Sequence, residues 1–173
     1  MKLFIIVMAV GSGGAIGALS RHLLVALFHR VMDMPTYVAV MIINILGCFL
    51  IGIAFFLIEA LLKKDIESPL KATSMSKPLR DIGWWPKSDP TQPVVRDFAA
   101  DLKAELLAAF IITGILGGMT TFSLFSLLSL QLQQSGNYLG IAINIVGTIT
   151  IGFIATVLGL YLGRWITIRG SRN

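Results

Sequence analysis

The sequence predicts an all-α membrane protein of four transmembrane helices, the third of them broken at mid-membrane. Three observations carry this. Hydrophobic residues make up 55% of the 173 and charged residues only 13%, with a mean hydropathy of +0.83, which is the composition of a chain solvated largely by lipid. Four apolar stretches reach the roughly 20 residues needed to cross a bilayer. One of them, Ala109 to Gln133, loses helical character in its middle, where Gly117-Gly118 and the β-branched pair Thr120-Thr121 both raise the cost of a helix.

The first predicted span runs from about residue 3 to 28, interrupted by Arg21-His22. The second covers 37–62, the third about 98–132, long because it is broken, and the fourth 138–166. Asp33, Pro35 and Thr36 mark the first turn, and Ser135-Gly136-Asn137 the last. Residues 63–97 hold five prolines, at 69, 78, 86, 90 and 93, among many charges, and read as a long polar loop. Trp84-Trp85 within it suits either the headgroup level or a small local cluster. Asp97 is placed to cap the helix that follows, with Asp101 well set for its dipole. The whole chain, 1–173, thus forms a single four-span domain carrying one insertion.

Several function classes drop out. The lone Cys48 excludes an intrachain disulfide, and no Cys/His cluster has metal-ligand spacing. A net charge of +5 suits loops beside anionic headgroups, and no basic-aromatic face accompanies it to suggest nucleic acid. The segment LFIIVMAV after Met1-Lys2 imitates a secretory signal, but GSGGAIGAL continues small and apolar where a cleavage site would stand. That glycine-rich run lies in an apolar helix with no preceding strand, so it is not a phosphate loop. No nucleophile–base or carboxylate pair is present, and an enzyme is not expected.

Lysine and arginine set the expected orientation. One side receives Lys2, Lys63, Lys64, Lys71, Lys77, Arg80, Lys87, Arg96, Lys103, Arg164, Arg169 and Arg172, and the other only Arg21 and Arg30. Both termini are expected in the cytoplasm, and the chain in the cytoplasmic (inner) membrane.

After the break, Phe122, Phe125, Ser126 and Ser129 follow an i, i+3, i+4, i+7 spacing and read as the wall of a pathway. Phenylalanine in a membrane helix is ordinarily core, yet its ring edge carries positive quadrupole and suits an anion. Ser123, Ser126 and Ser129 either donate to an anion or back-bond to their own helix, the commoner state. Asn44, a full amide in an apolar helix, is a donor facing the pathway or a helix–helix hydrogen bond. Arg21 either draws anions toward a vestibule or snorkels to the interface. Gly13/Gly17, Gly114/Gly118 and Gly159/Gly163 have the spacing of close helix packing. Finally, Asn44-Ile-Leu-Gly47 with Ile51-Gly52 is echoed one hundred residues later by Asn144-Ile-Val-Gly147 with Ile151-Gly152. This is a parallel repeat or a coincidence of packing faces.

GGAIGALSRHLL at 13–24, NILGCFLIG at 44–52, GILGGMTTFSLF at 114–125 and the fourth span from Asn144 together resemble the CrcB/Fluc family of fluoride channels. The resemblance covers all but residues 63–97. It implies an antiparallel dimer of four-span subunits with two fluoride pores and a central structural sodium ion. It further implies that Asn44, Phe122 and Phe125 line the pore, with the Ser123 hydroxyl and Arg21 at matching positions. The sodium would be held by backbone carbonyls at Gly117 and Thr120. Transport would be passive export of fluoride, which acid outside the cell otherwise traps within. The chain departs from the family at Leu124, where threonine is frequent, and in the length of its loop. Two other readings compete. A small multidrug-type proton-coupled transporter would need a membrane carboxylate, for which Glu59 is the candidate. A non-transport membrane assembly protein would use only the glycine faces.

Overall fold

A computed structural model describes the backbone of residues 2–70 and 98–170, and their side chains except those of 59–70, 98–101, 104 and 170. Every element among these residues is helical: α1 (Lys2–Met32), α2 (Thr36–Leu70), α3 (Phe98–Ala108), a π-helical stretch π1 (Ala109–Leu116), α4 (Gly117–Met119), α5 (Phe122–Gln134), α6 (Tyr138–Ala142), a second π-helical stretch π2 (Ile143–Gly147) and α7 (Thr148–Gly170). Four segments among them are long and apolar enough to cross a membrane: Lys2–Met32, Thr36–Ile58, Glu105–Gln134 and Tyr138–Arg169. The protein is a multi-pass membrane protein.

The turns form where the sequence places them. Asp33 takes a left-handed φ of 49°, a conformation that short polar side chains tolerate. The Pro35 carbonyl then accepts from the N–H groups of Val38 and Ala39 to start α2. At the last turn Gly136 has φ 72°, and Asn137 Oδ1 caps α6 by accepting from the Gly140 N–H at 2.8 Å.

One expectation is corrected. Residues 63–70 are not loop, because α2 continues through them to Leu70. Ala60, Leu61, Leu62, Lys63 and Lys64 are good helix formers, and the helix persists after the apolar run ends. The remaining expected loop, with Trp84, Trp85 and Asp97, lies outside the described residues, as do the side chains of Glu59 and Asp101.

Packing pairs the first span with the third and the second with the fourth. Glycines set both seams. A Cβ on Gly17 would stand 2.8 Å from the Met119 nitrogen, and one on Gly118 would stand 2.6 Å from the Gly14 carbonyl oxygen. In the other pair, a Cβ on Gly52 would meet the Thr156 carbonyl oxygen at 2.5 Å, and Gly159 lies directly on the Phe49 carbonyl. Only hydrogen fits at these positions, so backbones approach to the range of dispersion and Cα–H···O contacts that lipid cannot supply. Ile43, Leu116 and Met119 form the small buried core where α2 meets this assembly. Lys2 and Glu105 form an ion pair at 2.6 Å, which fixes the start of the first span against that of the third.

Candidate functional site: the interrupted third span

The interruption lies near the midpoint of the 30-residue segment Glu105–Gln134. Gly117 and Gly118 remain helical, and the extended residues are the two threonines: Thr120 has φ −81° and ψ 150°, and Thr121 has φ −151° and ψ 121°. β-branched side chains prefer such dihedrals, which explains why the break falls on them and not on the glycines.

A broken helix frees backbone groups that lipid cannot satisfy, and the second span answers this. The Thr121 N–H donates to Asn44 Oδ1 at 2.9 Å, and Asn44 Nδ2 donates to the Thr121 carbonyl at 3.4 Å. The amide thus takes up the Thr121 N–H that the break freed and also donates to the carbonyl that starts α5. It is 8% exposed, so loss of either partner would leave a buried polar group unpaired. One turn further along α2, Gly47 faces the Thr120 methyl group so closely that a side chain there would overlap it. The Asn-x-x-Gly motif therefore acts as a unit, with Asn44 holding the backbone of one threonine and Gly47 seating the side chain of the other. Gly47→Val is expected to lower stability by about 1–3 kcal/mol through overpacking against Thr120; a variant with the parental melting temperature would contradict this.

Below the break, α5 is capped by its own first residues. Thr121 Oγ1 accepts from the Leu124 N–H at 3.3 Å and contacts Ser123 Oγ at 3.1 Å. The N-terminus of α5 thus opens inside the apolar segment with its amide dipoles directed at the break, a setting that favours negative charge. The carbonyl end of α4 faces the same gap with opposite polarity. The Thr121 N–H, which would bond Gly117 in a continuous helix, is held by Asn44, so among the described residues the Gly117 carbonyl has only a long contact, 3.5 Å, from the Thr120 hydroxyl, which lies closer to the Leu116 carbonyl at 3.0 Å. The Thr120 carbonyl receives no hydrogen bond among the described residues. Neutral oxygens of this kind suit a hard cation, so Gly117 and Thr120 fit the donor chemistry of a sodium site. No His, Cys, Asp or Glu cluster of metal-binding type occurs among the described residues.

The expected pathway face is divided. Phe122 is 80% exposed in the single chain, whereas Phe125 is 9% exposed; their rings lie 5.6 Å apart, inclined at 36°. Ser126 stays with Phe122 on the open side, while Phe125 and the half-buried Ser129 turn inward. Both serines back-bond, Ser126 to the Phe122 carbonyl and Ser129 to the Phe125 carbonyl, each at 2.9 Å. Ser123 is exposed beside Phe122. Arg21 is half-buried one turn beyond Gly17, which itself packs on Ile115 and Met119, so it stands at about the level where α5 begins.

Asn144 also belongs to this region, although sequence reading gave it no role. It is fully buried in π2, donating from Nδ2 to Ser129 Oγ at 2.9 Å and to the Phe125 carbonyl at 3.4 Å. Its Oδ1 and the hydroxyl of Thr148 are buried without a hydrogen-bond partner. The available signal was the Asn44/Asn144 echo: both asparagines of the repeat reach α5, from two different helices.

Four apolar spans, the third interrupted and pinned by a buried amide from the second, define a multi-pass membrane protein. The family model described as CrcB-like protein, Camphor Resistance (CrcB), matches residues 8–160. The chain belongs to the CrcB family. It is 32% identical over 166 residues to the fluoride-specific ion channel FluC of Ruminiclostridium cellulolyticum, covering 96% of this chain and 98% of the relative. It is 33% identical to that of Hydrogenobaculum over 90% of this chain and 95% of the relative, and 30% identical to that of Chloroflexus aurantiacus over 92% and 95%. These relatives favour neither the multidrug-type nor the assembly-protein reading.

Proposed function

We propose that this chain is a fluoride channel that lets fluoride leave the cell passively, lowering its internal concentration. The observation that carries the reading is the Asn44-pinned break, in a chain whose relatives are named fluoride-specific ion channels. Fluoride is small and strongly hydrated, so a pore must offer many weak donors in place of water without holding the ion. The start of α5, the Ser123 hydroxyl and the ring edges of Phe122 and Phe125 offer such donors without a fixed positive charge, and Arg21 adds long-range attraction at the same level. Asn44 shapes the opening by fixing where α5 begins.

The remaining parts of the reading follow from this. An exposed face bearing Phe122, Ser123 and Ser126 suits a second subunit better than lipid, in keeping with an antiparallel dimer. The Gly117 and Thr120 carbonyls would then meet their counterparts on the second subunit at the axis between the two and hold a structural sodium ion, whose charge would steady the break. The chain would lie in the cytoplasmic membrane, in contact with its lipids and with both termini inside. The one-sided distribution of lysine and arginine favours a single insertion direction. It therefore favours an oppositely oriented homologue over a second copy as partner.

Liposomes loaded with fluoride or chloride test the reading. The purified chain, alone and with such a homologue, should release fluoride and retain chloride. Absence of fluoride release in both preparations would refute the channel. Robust release by the chain alone would remove the need for a second gene product.

A further inference from the structure

We infer that Asn144 is a second positioning residue for permeation: through Ser129 and the Phe125 carbonyl it sets the Phe125 ring, as Asn44 sets the start of α5 through Thr121. The inference rests on the reading that Phe125 belongs to the pathway.

Three observations carry it. First, Ser129 Oγ donates to the Phe125 carbonyl at 2.9 Å while accepting from Asn144 Nδ2 at 2.9 Å, and Nδ2 also donates to that carbonyl at 3.4 Å. The three groups close a small ring of hydrogen bonds on the backbone of the residue whose side chain meets Phe122. Second, stability does not account for Asn144. The side chain is fully buried and uses only its donors, leaving Oδ1 unpaired, and a buried amide with an idle acceptor is less favourable than an apolar residue of similar shape. Third, the residue stands in an Asn-x-x-Gly echo whose other copy performs the equivalent task. Asn44 grips Thr121 with Gly47 seating Thr120; Asn144 grips Phe125 and Ser129, with Gly147 lying close to the Met41 sulfur, 3.1 Å from where a Cβ would be. Together the two asparagines fix the first two turns of α5, bracketing the exposed Phe122. A shift of the Phe125 carbonyl would carry the ring with it, because a buried side chain in a packed helix cannot compensate without leaving its rotamer.

A double-mutant cycle tests this in the full-length channel. Fluoride efflux from liposomes, normalised to folded protein by gel-filtration elution, is measured for the parent, Asn144→Ala, Phe125→Leu and the double variant. If Asn144 acts through the Phe125 ring, Asn144→Ala lowers flux about tenfold in the parent and less than about twofold once the ring is gone, as expected for coupled neighbours. An equal loss in both backgrounds, or no loss in the parent, overturns the inference. Should Asn144→Ala fail to fold, Ser129→Ala removes the same relay with a smaller change and is read by the same two factors. Parental flux in Phe125→Leu would refute the pathway reading and this inference together. Reduced flux in Phe125→Leu with parental flux in Asn144→Ala and Ser129→Ala would refute this inference alone.

Discussion

Asn44→Asp is expected to reduce fluoride efflux by roughly a hundredfold while leaving the membrane-inserted dimensions of the protein unchanged. The substitution keeps size and shape, and its carboxylate can still accept from the Thr121 N–H, now taken by Oδ1 at 2.9 Å. It loses the Nδ2 donor, so an oxygen faces the Thr121 carbonyl where an N–H stood. It also places a negative charge beside the N-terminus of α5, the position proposed to attract the anion. Each 1.36 kcal/mol of repulsion added to the anion's barrier is about tenfold in rate, so a hundredfold loss needs about 2.7 kcal/mol, within the roughly 4 kcal/mol between two like charges about 4 Å apart at an effective dielectric of about 20. Efflux measured with a fluoride electrode from loaded liposomes decides the matter. Flux within about twofold of the parent would show that Asn44 neither shapes nor borders the pathway.

The second large effect is expected at Phe122. Phe122→Ile should lower flux about tenfold with an unchanged melting temperature. At 80% exposure the ring contributes little to the packing of a single chain, so isoleucine replaces its apolar bulk at small cost. What isoleucine lacks is a ring edge whose positive quadrupole can face the anion. An ion passing two such edges, on rings 5.6 Å apart, loses a substantial share of what replaces its water. Parental flux with parental stability would remove Phe122 from the pathway. Loss of flux together with loss of folded protein would assign it to the subunit interface instead.

The four spans were legible because lipid imposes one strong requirement, a long apolar run, and the chain meets it four times. Both short turns were legible because Asp33, Pro35, Gly136 and Asn137 each have a local reason to end or start a helix. The second span's end was not, since leaving the apolar phase does not end a helix, and α2 runs on through Lys63 and Lys64 to Leu70. The neighbourhood of the break was readable from composition, but the residue bearing it was not. Glycine pays the larger intrinsic helix cost, yet Gly118 stays helical where it packs closely on Gly14, and Thr121 is held extended by Asn44. Those are tertiary contacts, which propensity does not contain. The same holds for Phe125 and Ser129, which periodicity groups with Phe122 and Ser126 but which the fourth span draws inward through Asn144. The two π-helical stretches left no mark in the sequence pattern.

The way the spans are partnered bears on biogenesis. The first span's glycine seam closes on the third and the second's on the fourth, so neither early span finds its main neighbour until the ribosome has made the residues beyond 97. A nascent chain halted there should sit in the bilayer as two loosely associated rods, accessible to quality-control proteases. Completion of the remaining 76 residues would then convert an open intermediate to a protected one in a single late step.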